Sequence, residues 1–281
     1  MLSFKTYAQL YSDIVNFSSV LPDFDLVVGI PRSGMLVANM FALHRNIPFS
    51  ELSHFSEGKI FKCGYRIELN IPRQIKDILV LENSTSTGRS INEARAILSK
   101  LTGYNIKYGV LYHVGRHNFF DYAYELVPHP RMWEWGLFHS WILDSCCMDI
   151  DGVLCLDPAI EQNDDGPKYI DFINNVTPKY RPTFPIKTII TSRLEKYRGL
   201  TAGWLDKHNI KYNNLVMSPH NTMAERKYAD DYAIRKAEEY IKPGYELFIE
   251  SSVIQSKQIN TITKKPVYCT DTCSFFPQLL T

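Results

Sequence analysis

The sequence predicts an α/β protein of two domains, each a mostly parallel sheet flanked by helices. Short apolar, β-branched runs alternate with amphipathic helical patterns along the whole chain, the signature of strands joined by helical crossovers. Two of those runs, Leu26–Ile30 and Cys146–Ile150, lead into turns rich in glycine and polar side chains, one in each half. The 281 residues suffice for two such domains, taking roughly 100–200 residues for each.

The remaining expected strands are Ile78–Glu82, Tyr108–His113, Lys187–Thr191, Leu215–Met217, Glu246–Glu250 and Val267–Cys269. Between them, Arg89–Leu101 carries Ile91, Ala94, Leu98 and Leu101 on one stripe at helical spacing, and Ala224–Ile241 reads as another helix. The Pro128–Pro130 turn and the aromatic segment Met132–Trp135 mark a boundary near residues 128–145, giving domains 1–140 and 141–281. Glu51–Arg73 fits neither period and, with Gly58, Gly64 and Pro72, reads as an irregular hood or hairpin over a site.

Composition excludes several classes. With 45% hydrophobic and 22% charged residues the chain is globular and not disordered. Lys and Arg number 14 against 12 Asp and Glu in residues 1–140, and 17 against 18 in the rest, so neither half presents a broad basic surface. A nucleic-acid substrate is not indicated by charge; the basic run Arg193, Lys196, Arg198, Lys207 and Lys211 reads as a solvated helix face. No run of eighteen apolar residues offers a membrane span. The first residues lack the apolar core of a signal peptide. Six cysteines without a CxxC pair suit reduced thiols in a cytoplasmic protein. Nothing in the sequence sets an oligomeric state.

In the first half, Val27-Val28-Gly29-Ile30-Pro31-Arg32-Ser33-Gly34 joins a buried strand to a helix through a glycine-flanked turn. Such a turn aims backbone N–H groups at an anion, and Arg32 can fork two hydrogen bonds onto phosphate oxygens. The second motif, Ile78 to Ser90, runs from a strand through Glu82 and Asn83 into Ser84, Thr85, Ser86, Thr87, Gly88, Arg89 and Ser90. Hydroxyls with helix-start amides suit a phosphate monoester, while Glu82 and Asn83 suit the vicinal hydroxyls of a ribose. A capped helix start explains one hydroxyl, not a cluster of five.

Together these loops resemble the pyrophosphate loop and the phosphoribosyl-pyrophosphate signature of the type I phosphoribosyltransferases, over roughly residues 20–115. That resemblance implies a Rossmann-like fold, phosphoribosyl pyrophosphate as ligand, a small-molecule or base acceptor, and Mg²⁺-assisted displacement of pyrophosphate from C1 of the ribose. It assigns ligand binding to Arg32, Ser33, Gly34 and Glu82 through Ser90. Asn83 departs from the pattern, because the family usually places a second acid there. Trp133 and Trp135 are placed to stack on a base or to fill core.

In the second half, Cys146-Cys147-Met148-Asp149-Ile150-Asp151-Gly152 ends an apolar strand in two carboxylates projecting to the same side. Paired carboxylates repel unless a cation lies between them, so Mg²⁺ is the expected partner. One of them can attack phosphorus while the other moves a proton. Three later features join them: the hydroxyls ending Thr188–Arg193, a lysine in the helical pattern, and the acid ending Leu247–Glu250.

This ordered set resembles the haloacid dehalogenase-like phosphatases over about residues 145–270, and implies a second Rossmann-like domain. The resemblance makes Asp149 the nucleophile, Asp151 the general acid and base, Thr191 the phosphoryl-binding hydroxyl and Lys236 the neutralising cation, with Lys227 as competitor. Asp149, Asp151 and Glu250 become the Mg²⁺ ligands. The short stretch between Leu154 and Thr188 is too small for a large cap, so a small insert or the N-terminal half itself shapes the entrance. The two resemblances imply either a bifunctional enzyme or a phosphatase governed by a phosphoribosyl-sensing domain. The first transfers ribose 5-phosphate and then removes its phosphate, leaving a nucleoside-like product.

Overall fold

The computed structural model describes residues 2–61, 75–115 and 118–279. The fold is α/β, with mostly parallel sheets flanked by helices. The chain divides into two compact units, Tyr7–Arg131 and Met132–Thr281, and Met1–Thr6 belongs to the latter. This partition differs from the expected 1–140 and 141–281 at both the start of the chain and the junction. Residues 62–73 of the expected hood, Cys63 among them, lie outside the described residues.

The chain opens with strand β1 (Ser3–Lys5) and helix α1 (Tyr7–Val20), which starts the first unit. There follow β2 (Leu26–Gly29), α2 (Ser33–Arg45), β3 (Phe49–Glu51), α3 (Leu52–Ser56), β4 (Asp77–Thr85), α4 (Arg89–Leu98), β5 (Asn105–His113) and β6 (Tyr122–Leu126). The strand order is β3-β2-β4-β5-β6 with every pairing parallel. Continuous burial of β2 and of Ile78–Leu81 is what a sheet covered on both faces requires. One face packs Leu26, Val28, Ile78 and Val80 against Leu52 and Phe55 of α3 and Ile91, Ala94 and Leu98 of α4. Helices α1 and α2 contribute the buried Leu10, Ile14, Phe17, Val37 and Phe41.

Strand β4 runs three residues past the expected end at Glu82. Ser84 and Thr85 stand opposite Tyr112 and His113 in the ladder, so the hydroxyl cluster is part strand and part turn. Strands β3 and β6 were not expected; both are short, and neither carries a run of buried apolar side chains.

After β7 (Arg131–Trp133), which begins on the last residue of the first unit, the second unit contains β8 (Cys146–Met148), α5 (Pro167–Asn175), β9 (Ile186–Leu194), α6 (Arg198–Lys207) and β10 (Tyr212–Ser218). It continues through α7 (Met223–Ala229), α8 (Tyr232–Ile241), β11 (Leu247–Glu250), α9 (Val253–Thr263), β12 (Val267–Cys269) and β13 (Ser274–Phe276). Its main sheet has the order β10-β9-β8-β11-β12-β13, parallel except for the antiparallel edge strand β13. Strand β1 pairs with β7 in a separate two-stranded sheet. Leu2 and Phe4 are buried in this unit's core, where Phe4 stacks on Phe275 with ring centroids 4.6 Å apart. That burial is why the first residues depart from the domain expected for them.

The single helix expected over Ala224–Ile241 is two. Asp230, at φ 45°, closes α7 in the left-handed region, which aspartate tolerates better than most residues, and α8 starts two residues later. Trp133 and Trp135 stack on each other, their centroids 5.6 Å apart.

Candidate functional site

Each sheet has one place where successive crossovers leave in opposite directions, and in open α/β sheets the crevice beyond the strand ends at that point is where ligands bind. In the first unit it lies between β2 and β4; in the second, between β8 and β11. The expected motifs sit at these two places.

At the first, Gly29 and Gly34 let the start of α2 sit directly on the strand ends. A Cβ on Gly29 would stand 2.6 Å from Met35 Cα, and one on Gly34 would stand 2.7 Å from Leu81 O and 3.3 Å from Glu82 Oε1. Both glycines therefore serve close helix–strand packing, which brings the start of α2 against Glu82. The Pro31–Arg32 peptide is cis, and Arg32 is exposed beside the half-buried Ser33.

Glu82 is buried, and Oε1 accepts a hydrogen bond from Asn83 N at 2.8 Å. Burial holds its carboxyl above the ordinary carboxylate range, against the bonds it accepts from Ser90 and from the Asn83 and Ser84 amides. Asn83 is also buried, and its Oδ1 has no hydrogen-bond partner among the described residues. A buried acceptor without a donor is costly, so this oxygen is the group in the loop that most calls for a ligand hydroxyl or cation.

The rest of the loop is partly self-satisfied. Thr85 Oγ1 accepts from Gly88 N at 2.9 Å, and Ser86 Oγ lies 2.9 Å from Arg131 Nη2 and 3.2 Å from His129 Nε2. Helix α4 has no side-chain cap: Gly88 stands at its start with φ 72°, where a Cβ would meet the Phe119 ring at 2.5 Å. Thr87 and Arg89 are exposed, and Ser84 and Ser90 half-buried.

At the second place, Asp149 follows β8 and Glu250 ends β11, with Lys236 of α8 between them. Lys236 Nζ donates to Asp149 Oδ2 at 2.5 Å, Glu250 Oε2 at 2.7 Å and Gln255 Oε1 at 2.9 Å. Asp149 is 6% exposed, Lys236 2% and Glu250 1%, so this is a buried triad and not a surface ion pair. The other carboxylate oxygens take backbone donors: Asp149 Oδ1 from Ile150 N at 2.7 Å, Glu250 Oε1 from Ser251 N at 3.1 Å and Ser252 N at 3.2 Å.

Burial raises Asp149 above the ordinary carboxylate range; Lys236 pulls it back only in part, and Glu250 and Asp151 add repulsion. Burial opposes the charge on Lys236 as well, but Asp149 and Glu250 override it and push the ammonium upward. The lysine thus stays charged at neutral pH, and Asp149 is the group whose ionisation responds. Lys227, the competitor for this role, is exposed on α7.

Asp151 has a different partner. Arg193, fully buried on β9, donates to it through Nη2 at 2.6 Å and through Nε at 3.1 Å. Arg193 is therefore no part of a solvated basic face. Of the others in that run, Lys196 pairs with Asp165 at 2.9 Å, Arg198 with Glu195, and Lys207 bonds Asn174 O at 3.2 Å. The Thr191 hydroxyl accepts from Arg193 N at 3.2 Å and is buried, while its neighbour Ser192 reaches the cleft.

These groups surround a cleft of about 480 Å³ lined by Asp149, Asp151, Ser192, Arg226, Glu250 and Gln255. The stretch between Leu154 and Thr188 supplies Asp157, Pro158, Asn163 and Tyr169 to its wall, with α5 anchored through Tyr169, Phe172 and Ile173. Burial and the charge of Asp151 hold Asp157 above the ordinary carboxylate range. Arg226 and Asp157 were missed: neither occupies a strand end, and only the fold brings them here.

Among the described residues, no group of three or more His, Cys, Asp or Glu side chains is arranged to hold a metal ion. The expected ligand set Asp149, Asp151 and Glu250 is thus not assembled as such, because Lys236 separates two of its members and Arg193 holds the third. Carboxylate oxygens carry two lone pairs each. Asp149, Asp151 and Glu250 all line one cleft, and these are the carboxylates that would hold a Mg²⁺ there in place of their present cationic partners.

No protein-family model matches the chain, and no curated protein matches its sequence. Among solved structures, it is similar to the Helicobacter pylori xanthine-guanine-hypoxanthine phosphoribosyltransferase at 14% identity and TM-score 0.38, over 48% of this chain and 93% of that one. It is similar to the Pyrococcus horikoshii purine phosphoribosyltransferase at 17% identity and TM-score 0.36, over the same shares of the two chains. The Leishmania donovani UMP synthase is matched at 19% identity and TM-score 0.30, over 38% of this chain and 22% of that one.

Proposed function

We propose that the second unit is a phosphohydrolase working through a phosphoaspartate, and that the first binds phosphoribosyl pyrophosphate and transfers ribose 5-phosphate to a small-molecule or base acceptor. The observation that carries the reading is the Lys236 ammonium between Asp149 and Glu250, beside a cleft at the sheet's switch point. A carboxylate nucleophile attacking a phosphate dianion must be relieved of like-charge repulsion, and a buried ammonium bonded to it does that.

Asp149 Oδ attacks phosphorus as the ester P–O bond breaks, and the bonding electron pair leaves on the alcohol oxygen, which takes a proton. Asp151, oriented by Arg193, and Asp157, raised by burial, are the carboxyls on the wall for moving that proton. Water then attacks phosphorus, releasing inorganic phosphate and restoring Asp149. Mg²⁺, held by Asp149, Asp151 and Glu250, would supply further charge neutralisation at the phosphoryl oxygens. Coupling the two units yields a ribosylated, nucleoside-like product, and phosphate removal draws the transfer forward.

One observation favours a second reading, a phosphatase governed by a first unit that binds phosphoribosyl pyrophosphate without turning it over. Asn83 is neutral and Glu82 holds its proton more tightly than an ordinary glutamate, so the loop offers little charge to a cationic ribosyl transition state. The protein is incubated with Mg²⁺, phosphoribosyl pyrophosphate and a panel of purine and pyrimidine bases, and both products are followed. Release of pyrophosphate and phosphate together, with phosphate alone lost in Asp149→Asn, is the expected result. Phosphatase turnover altered by phosphoribosyl pyrophosphate, with no pyrophosphate from any base, selects the second reading.

A further inference from the structure

Among the described residues, three cations bonded to carboxylates of the cleft or its surroundings are already paired. Lys236 holds Asp149 and Glu250, Arg193 holds Asp151, and Lys179 pairs with Asp271 at 3.3 Å. Arg226 is the cationic side chain that lines the cleft itself, and no carboxylate pairs with it among the described residues. It extends from α7 toward the end of β9, where Nη1 donates to Ser192 O at 2.6 Å, and the guanidinium carbon stands 5.8 Å from the Tyr232 ring centroid. Nε is buried and has no hydrogen-bond partner among the described residues.

With Nη1 taken by the strand, the Nε–Nη2 edge of the guanidinium remains. That edge presents two parallel N–H donors, the fork that matches two oxygens of a phosphate or carboxylate. Leaving a charged donor buried and unsatisfied is costly, so a site that keeps one implies an acceptor that arrives with the ligand. Position narrows the choice: the same cleft holds Asp149, and Thr191, the hydroxyl expected to bind the phosphoryl group, already accepts from Arg193 N.

We infer that Arg226 is a further catalytic residue, whose Nε–Nη2 edge holds two non-bridging oxygens of the phosphoryl group transferred to Asp149. The inference rests on the phosphohydrolase reading for its role in turnover, but the oxyanion site itself is testable without turnover. The contact with Ser192 O fixes the guanidinium to the strand that flanks the nucleophile, so the fork is oriented before substrate arrives.

The test uses the full-length protein and two readouts. First, inorganic phosphate is titrated calorimetrically into Asp149→Asn, which removes the like charge, and into the same protein carrying Arg226→Ala or Arg226→Lys. The expected result is binding weakened about 10- to 100-fold in Arg226→Ala, from the loss of charged hydrogen bonds, and partly restored in Arg226→Lys. Second, p-nitrophenyl phosphate turnover is compared in otherwise wild-type protein. Arg226→Ala is expected to lose kcat/KM by a similar factor and to recover some of it when guanidinium ion is added at millimolar level.

Thermal melts separate folding damage from ligand loss, and rescue by guanidinium is a response that a purely structural arginine would not give. Phosphate binding that is absent, or equal in variants that melt like their parent, overturns the inference. Turnover of p-nitrophenyl phosphate that ignores Arg226 overturns it too, while leaving the phosphohydrolase reading in place. Arg226-dependent phosphate binding in a protein that hydrolyses no phosphomonoester does the reverse.

Discussion

Replacing Lys236 with methionine tests the triad more severely than any other single change. Methionine preserves much of the lysine stem's packing and removes only the ammonium, so the loss is electrostatic. Three buried acceptors, on Asp149, Glu250 and Gln255, then lose their shared donor. Removing one partner of a buried ion pair costs about 3–5 kcal/mol, and that is the destabilisation expected at pH 8. In the variant Asp149, already above its ordinary value of 3.8 because of burial, moves higher still.

The native state then keeps a proton that the unfolded chain releases, so stability falls as pH rises from about 4 through the raised native value. Below about pH 4 both states are protonated, and the penalty shrinks to whatever packing difference remains. All four tryptophans, Trp133, Trp135, Trp141 and Trp204, belong to the second unit, so their fluorescence in a urea titration reports that unit alone. Asp149→Asn combined with Lys236→Met should cost less than Lys236→Met alone, since the partners are coupled. A penalty equal at pH 4.5 and pH 8, or a variant as stable as the parent at pH 8, would refute the reasoning.

Three further outcomes follow from the packing and burial of particular residues. Glu82→Gln should stabilise the first unit at pH 7, because an acid raised by burial contributes less stability once pH exceeds its unfolded value; the gain should vanish below about pH 4.5, as read by hydrogen exchange in β2 and β4. Gly34→Ala should cost about 1–3 kcal/mol, since its Cβ would meet Leu81 O at 2.7 Å, and exchange in the same strands should quicken. Phe4→Ala should destabilise the tryptophan-reporting unit by about 3–5 kcal/mol although residue 4 is far from it in sequence, because Phe4 is buried against Tyr268 and Phe275.

Apart from β3 and β6, the parallel strands were legible because each carries a run of apolar, often β-branched residues of the kind a covered sheet buries. The same logic located Asp149 and Glu250, since a carboxylate that ends such a run has to emerge at the sheet's carboxyl edge. Lys236 was legible by its helical context, though only the fold shows that Lys227, nine residues earlier, is exposed. What the sequence hid was pairing. Arg193 sits in a basic run that reads as surface, yet strand β9 turns it inward onto Asp151. The break at Asp230 and Asp231 has no apolar signature, and it is what allows Arg226 and Lys236 to occupy separate helices beside one cleft. The short strands β1 and β7 carry too few residues for any period to show.

The central claim is a covalent phosphoaspartate at residue 149, and trapping it is the most direct test. The protein is mixed with Mg²⁺ and a phosphomonoester, either p-nitrophenyl phosphate or a nucleoside 5′-monophosphate, quenched in acid during turnover and reduced with borohydride. An acyl phosphate is reduced to the alcohol whereas a free carboxylate is not. Peptide mass spectrometry should therefore find homoserine in place of Asp149, and none in Asp149→Asn or without substrate. Steady phosphate release with Asp149 recovered unaltered, or with homoserine at Asp151 instead, would contradict the account.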